Sequence, residues 1–376
     1  MRKFLFFGTA LLAAYSLPSC NKEEVKDVNV PMVETKITFA LTPDAGVGIK
    51  AGRPLASEEN LQEVTDMKIY VFKEQGPDYT GIKVTDGSQS DHTFLDVKWE
   101  KGTSKKVYTV SPKLAVGKYK FLAVGLDNGK DCYNALDFTG KKLEEALLTL
   151  NTAPAAEAFA GLCEAPVEVK DEAGTPSGIQ VRIALKRAVA GVLLHVKNVP
   201  AYNGDVKSVA VALYEDQSTS VNLSSKAGSG TLAGSRTICE VKIPDGATVK
   251  DGLYEWAAAG AFAANCIGCG AFVLPKAAPL TGITLAIELR DATGQVLKTF
   301  KVKDSVRGQS GVASEQYALI ANNLYNLGTK KKGGEPTEPG PGVEDPDKPA
   351  DLSKGQDVQL VVDPNWESLH DMEIDY

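Results

Sequence analysis

Ile179-Gln180-Val181-Arg182-Ile183-Ala184-Leu185 places an apolar side chain at every second position. Successive side chains of an extended chain point to opposite faces, so this stretch predicts a β-strand with one buried face. The same period of two recurs at Ile283, Leu285, Ile287 and Leu289, and at Ile37, Phe39 and Leu41. Residues 66–72 (DMKIYVF) are nearly continuous in apolar character and predict a central strand. Further strands are expected at residues 106–110, 118–126, 206–214, 236–243, 270–274 and 298–302. Residues 317–327 (YALIANNLYNL) fit both periods; a strand is expected because Tyr317, Leu319, Ala321, Asn323 and Tyr325 then share a face. The one helix expected is at residues 141–150, where Leu143, Ala146, Leu147 and Leu150 fall at i, i+3, i+4 and i+7. Many short strands separated by turn residues predict an all-β chain built of sandwiches.

The N-terminus reads as an export signal. Arg2 and Lys3 precede an uncharged apolar run over residues 4–17, which is too short to span a bilayer as a helix. Leu17-Pro18-Ser19-Cys20 closes it. A small residue before a cysteine at that point predicts cleavage ahead of Cys20 and lipidation of its thiol, with acyl chains supplying the membrane anchor. Asn21-Lys22-Glu23-Glu24 follows, and an acidic pair there resembles a surface-export signal. Loss of residues 1–19 removes Arg2 and Lys3, so the formal charge moves from −7 to −9. An acidic exported chain has no electrostatic footprint for nucleic acid.

The organisation expected is a signal peptide over 1–19, a tether over 20–35, an N-terminal β-sandwich over 36–178 and a C-terminal β-sandwich over 179–329. Gly174-Thr175-Pro176-Ser177-Gly178 marks the boundary between the two sandwiches. Residues 330–354 open with a lysine triplet and continue as GGEPTEPGPGVEDPDKP, a composition that predicts a linker. Residues 355–376 then return to strand-like alternation, with Val358, Leu360 and Val362 on one face. A lone strand leaves backbone N–H and C=O groups without partners, so this segment must join a sheet edge. It either folds back on its own sandwich or completes the sheet of another subunit by strand donation. Donation is head-to-tail and builds filaments.

Catalytic and metal-binding chemistry is not expected. Only three histidines occur, His92, His195 and His370, and they are scattered. No GxSxG, HExxH or phosphate-loop pattern is present, and no cofactor is implied. Asp44, Asp127 and Asp131 lack the spacing of an EF-hand and read as surface carboxylates. Besides Cys20 the chain carries Cys132, Cys163, Cys239, Cys266 and Cys269, an odd number that leaves at least one unpaired. Cys266-Ile267-Gly268-Cys269 has neither nearby zinc ligands nor a βαβ setting, and reads as a loop with a local disulfide or as small buried thiols.

The layout resembles that of the fimbrillins, the type V pilus subunits of Bacteroidales. The resemblance is carried by LPSC with NKEE, ITFAL, AGRPL, DMKIYVF, AFAGLCEAP, LKRAVAGV, YALIANNLYNLGTK and DLSKGQDVQLVVDPNWE, and it spans nearly the whole chain. It implies two tandem transthyretin-like β-sandwiches with one short helix in the first and a C-terminal extension. It also implies a non-enzymatic structural subunit of a fimbria, lipid-anchored and surface-exposed at the outer membrane. Its partners would be other pilus subunits and host or bacterial surface ligands. In shaft subunits of that family an arginine-directed protease removes the first strand, and another subunit's C-terminal strand fills the groove. Arg53 matches the cut, and Val358, Leu360 and Val362 match the donor strand. Arg53 is followed by Pro54, which fits a trypsin-like site badly, and no other arginine lies between Cys20 and Arg182. Either the chain keeps its first strand and lipid, as an anchor or accessory subunit, or a protease of other specificity processes it. The alternative function is a surface lipoprotein that binds glycan or host protein through sandwich loops and never polymerises.

Overall fold

A computed structural model describes residues 32–43, 64–85, 91–101, 103, 106–127, 130–152, 154–170, 178–214, 216–259, 262–277, 282–304, 315–328, 349–355 and 358–363. The described chain is all β, with several sheets and only three-residue 3-10 turns. Among the described residues no helix is long and apolar enough to cross a membrane. The principal strands are β1 (Ile37–Pro43), β2 (Asp66–Gln75), β3 (Asp78–Ile82), β4 (Lys106–Val110), β5 (Gly117–Leu126), β6 (Ala158–Leu162) and β7 (Ile179–Arg187). They continue as β8 (Ala190–Lys197), β9 (Ser208–Leu213), β10 (Arg236–Lys242), β11 (Cys266–Val273), β12 (Leu285–Arg290), β13 (Val296–Asp304), β14 (Leu324–Leu327) and β15 (Val358–Asp363).

The first large sheet runs β3-β2-β5-β6-β7-β1-β4, and the second runs β10-β9-β12-β13-β15-β14-β8-β11. One face of the first sheet is covered by a small four-stranded sheet that includes Met32–Glu34, Lys113–Ala115 and Val84–Thr85. Ile37, Phe39, Leu41, Met67, Ile69, Val71 and Phe121 pack there against Val33, Val84 and Leu114. Its other face, with Tyr70, Phe72, Leu122 and Val124, packs against Leu193, Phe272 and Leu324 of the second sheet. The run DMKIYVF is apolar throughout because alternate side chains of β2 enter two different cores. The two halves also share backbone bonds. Leu147–Thr149 pairs antiparallel with Ser220–Asn222.

Two expectations are corrected. Residues 141–150 are not a helix. Leu143–Glu145 forms one 3-10 turn, with the Lys142 N–H donating to the Glu145 carboxylate at 2.9 Å. The chain then extends, burying Leu148 while Leu147 stays 39 % exposed. A helix this short is marginal alone, and pairing with Ser220–Asn222 satisfies the backbone instead. Residues 317–327 are a strand only over β14. The alternation up to Asn323 does place Tyr317, Leu319 and Ala321 inside, but a turn at Ala321-Asn322, with Asn322 at φ +62°, breaks the extended chain.

A further finding concerns the strand that follows residue 178. β7 belongs to the first sheet, parallel to β1 from Ile179↔Ile37 to Leu185↔Pro43, and antiparallel to β6. The chain leaves that sheet only after Arg187, and β8 opens the second at Ala190. β1 would otherwise lack a partner on one side, and the alternating face of β7 supplies Val181, Ile183 and Leu185 to the same core.

The crossing point is held by a buried ion pair. Arg187 Nε donates to Glu157 Oε1 at 2.6 Å, with both side chains at most 2 % exposed. The guanidinium lies over the Phe159 ring, 4.9 Å from its centroid. The Arg187 backbone N–H donates to Asn322 Oδ1, so the second half clamps the last residue of β7. Removing one partner of such a pair strands a charge away from water. Glu157→Leu is expected to lower the unfolding free energy by about 3–5 kcal/mol in urea titration. Glu168→Gln, which breaks the exposed pair with Lys170, should change it by at most about 1 kcal/mol.

Candidate assembly site

The segment read from sequence as a donor strand occupies an interior position of its own second sheet. β15 runs parallel to β13, with Val302↔Val358, Lys303↔Gln359 and Asp304↔Leu360. On its other side it runs antiparallel to β14, from Leu327↔Leu360 to Leu324↔Asp363, with Val362 opposite Tyr325. Val358 and Leu360 are buried beside Val302, Tyr325 and Leu327, and Gln359 faces outward. The period of two read from the sequence is the period of burial.

The approach to β15 is anchored as well. Ala350–Asp351 lies parallel to Val196 and Lys197 of β8. A 3-10 turn, Leu352–Lys354, follows and buries Leu352 in the second core. The Asp351 carboxylate accepts from the Ser353 N–H at 3.1 Å and the Ser353 hydroxyl at 2.6 Å. Burial acts to raise the Asp351 pKa, but the hydrogen bonds from Ser353 and Asn198 outweigh it and hold it below the usual carboxylate range. Gly328 makes the close return of the chain feasible. It sits at φ +81°, and a Cβ there would lie 2.0 Å from the His195 carbonyl oxygen and 2.5 Å from Ala350 N.

β1 fills an equally interior position in the first sheet, between β7 and β4. Ile37, Phe39 and Leu41 are fully buried, and Phe39 meets Phe121 edge to face at 5.1 Å. Cys20 and Arg53 lie outside the described residues. The structure therefore brings Val358 and Leu360 together in one slot, with the Val362 backbone alongside.

The remaining sequence candidates separate. Asp127 and Asp131 line a cleft of about 440 Å³ with Asp66, Lys68, Tyr70, Phe94 and Tyr133. Asp127 is already paired with Lys130 at 3.6 Å, and no described group of His, Cys, Asp and Glu has metal-holding geometry. Asp44 and His370 lie outside the described residues. His195 is a buried core residue 5.6 Å from the Phe262 ring. Cys266-Ile267-Gly268-Cys269 is strand, not loop. Residues three apart on a strand face opposite sides, so a local disulfide between those two cysteines does not form. Cys132, Cys163 and Cys266 are buried thiols.

The profile of the family described as "Fimbrillin-A associated anchor proteins Mfa1 and Mfa2" matches residues 28–244, more than half of the sequence. The chain belongs to this family. The family is non-enzymatic and associated with fimbriae at the cell surface and with other fimbrial subunits. No curated protein matches the chain. Among solved structures, the chain is similar to the fimbrial anchor protein Mfa2 from Porphyromonas gingivalis, at 14 % identity and a TM-score of 0.40, covering 78 % of this chain and 90 % of that one. It is also similar to the tip fimbrial protein Mfa3 from the same organism, with C-terminal truncation, at 12 % identity and a TM-score of 0.40, covering 87 % and 99 %. Likeness at that level transfers no residue's role.

The slot makes a direct prediction about side chains. Leu360→Ala leaves a cavity between β13 and β14 and is expected to lower stability by about 2–5 kcal/mol. Gln359→Ala, on the solvent face of the same strand, should change it by no more than about 0.5 kcal/mol. Equal effects at the two positions, measured by chemical denaturation, would show that β15 does not occupy this slot.

Proposed function

We propose that this chain is an anchoring or accessory subunit of a fimbria, exported as a lipoprotein through Cys20, whose C-terminal strand is its exchangeable assembly element. The carrying observation is the position of β15. It lies between β13 and β14, which have no ladder with each other. It follows β14 only after residues 328–357, which include the Pro/Gly/acidic run. A strand held in an interior slot on a long leash can leave and be replaced by an equivalent strand without rethreading the sheet. Main-chain hydrogen bonds then give affinity, and the pockets of Val358 and Leu360 give specificity. In the lone chain the slot is filled in cis, which supports a subunit that stays folded until it meets its partner. On this reading the two large sheet systems are the cores of two tandem transthyretin-like sandwiches, meeting near Ala188-Val189.

The filled first-strand position and the Arg53-Pro54 sequence favour retention of β1. That supports an anchor or accessory role over a repeating shaft unit. A second reading rests on the same cis pairing together with the cleft at Tyr70, Phe94 and Tyr133. It is a surface lipoprotein that never opens its sheet and binds glycan or protein at its loops.

Deletion of residues 355–376 separates the two readings. Under strand exchange the deletion abolishes multimers and complexes with fimbrial subunits, and a peptide of residues 355–376 added in trans binds the truncated chain one to one. Unchanged assemblies after deletion would favour the cleft reading. Mass analysis of the native N-terminus is expected to find acylated Cys20; a terminus at Pro54 would instead indicate a processed, shaft-type subunit.

A further inference from the structure

The second sheet is rolled so that its two outermost strands meet. β10 and β11 stand at opposite ends of the strand order, yet they pack together, and Ile238 from one and Ile267 and Ala271 from the other enter one core. At their meeting line the Cys269 S–H donates to Cys239 Sγ, with the sulfur atoms 2.8 Å apart. Two sulfur atoms at that distance are closer than any ordinary contact of thiols and need less than 1 Å of movement to reach bonding distance. Cys239 and Cys269 are 30 residues apart, both half-buried at the margin of the core. The other described cysteines have different surroundings. Cys163 Sγ accepts the Phe121 N–H in the first core, Cys132 lies in the shared middle core, and Cys266 is buried on β11.

We propose that Cys239 and Cys269 are a disulfide-forming site, and that their bond closes the open seam of the second sheet. This inference does not rest on the strand-exchange reading. Among the described strands, β10 and β11 are the two outer edges of this sheet, and sheet edges are where unwanted pairing begins. A covalent link there encloses residues 240–268, including the Thr248–Lys250 and Leu253–Glu255 hairpin, in a closed loop. It removes conformations from the unfolded chain while the native backbone stays in place.

The chemistry is a two-electron oxidation by thiol–disulfide exchange. One cysteine, as thiolate, attacks the disulfide of an oxidised dithiol-type oxidant, giving a mixed disulfide. The second cysteine displaces it, so the Cys239–Cys269 bond forms and the oxidant leaves as two thiols carrying the two hydrogens. Donation to Cys239 Sγ, together with burial and the nearby Glu240 charge, holds the Cys269 thiol far above its ordinary pKa. Its thiolate is scarce in the folded protein, so the bond forms fastest while the edges are still open during folding.

The test uses the full chain refolded with oxidised glutathione as the oxidant. Free thiols are alkylated under denaturing conditions without reductant, and the protein is digested and weighed. The expected result is one pair of joined peptides, carrying Cys239 and Cys269 and lighter than their sum by two hydrogens, with Cys132, Cys163 and Cys266 alkylated. Alkylation of Cys239 and Cys269, or a joined pair involving any other cysteine, would overturn the proposal. A second measurement compares melting with and without reductant. Reductant should lower the Tm of the oxidised chain by roughly 5–10 °C and leave a Cys239→Ser, Cys269→Ser double variant unmoved. An equal shift in both proteins would also overturn it.

Discussion

Every backbone N–H and C=O of a strand inside a sheet must find a partner on both sides, and in this protein two such interior places are filled by segments near the ends of the described chain. β1 completes the first sheet between β7 and β4, and β15 completes the second between β13 and β14. Each slot has one parallel and one antiparallel wall. Parallel neighbours need no tight turn between them, so a segment arriving from far along the chain can enter. The stability of the second sheet and its proposed capacity for assembly thus depend on the same few hydrogen bonds.

The two halves are bound by more than a linker. Aromatic and aliphatic side chains of β2 and β5 share a core with β8, β11 and β14, and Leu147–Thr149 forms a ladder with Ser220–Asn222. The buried Glu157–Arg187 pair sits where the chain passes from one sheet to the other. Packed side chains therefore connect the two sheets directly. The cleft beside Tyr70 and Phe94 is lined by residues of the first half, and the β15 slot belongs to the second.

Much of this was legible locally. The alternating faces of Ile37–Leu41, Ile179–Leu185 and Val358–Leu360 are buried as their patterns require. The family resemblance held, because it rested on the order of such segments along most of the chain. Residues 141–150 misled because Leu143 and Ala146, inward at helical spacing, are equally the inward side chains of a 3-10 turn, while the short strand that follows buries Leu148 and turns Leu147 outward. The Glu157–Arg187 pair carried no sequence signal beyond two charged residues in apolar surroundings. Cys239 and Cys269 carried still less, since the nearby Cys266 drew the eye to a local pairing that strand geometry forbids.

The sequence alone determined the buried faces of Ile37–Leu41, Ile179–Leu185 and Val358–Leu360, because side-chain period is a property of neighbouring residues. Only the tertiary structure decided that β7 joins the first sheet, that β15 enters its own second sheet, and that the edges bearing Cys239 and Cys269 meet. A strand's hydrogen-bond partner is chosen by whichever edge is left open elsewhere in the fold, and no local pattern records that choice.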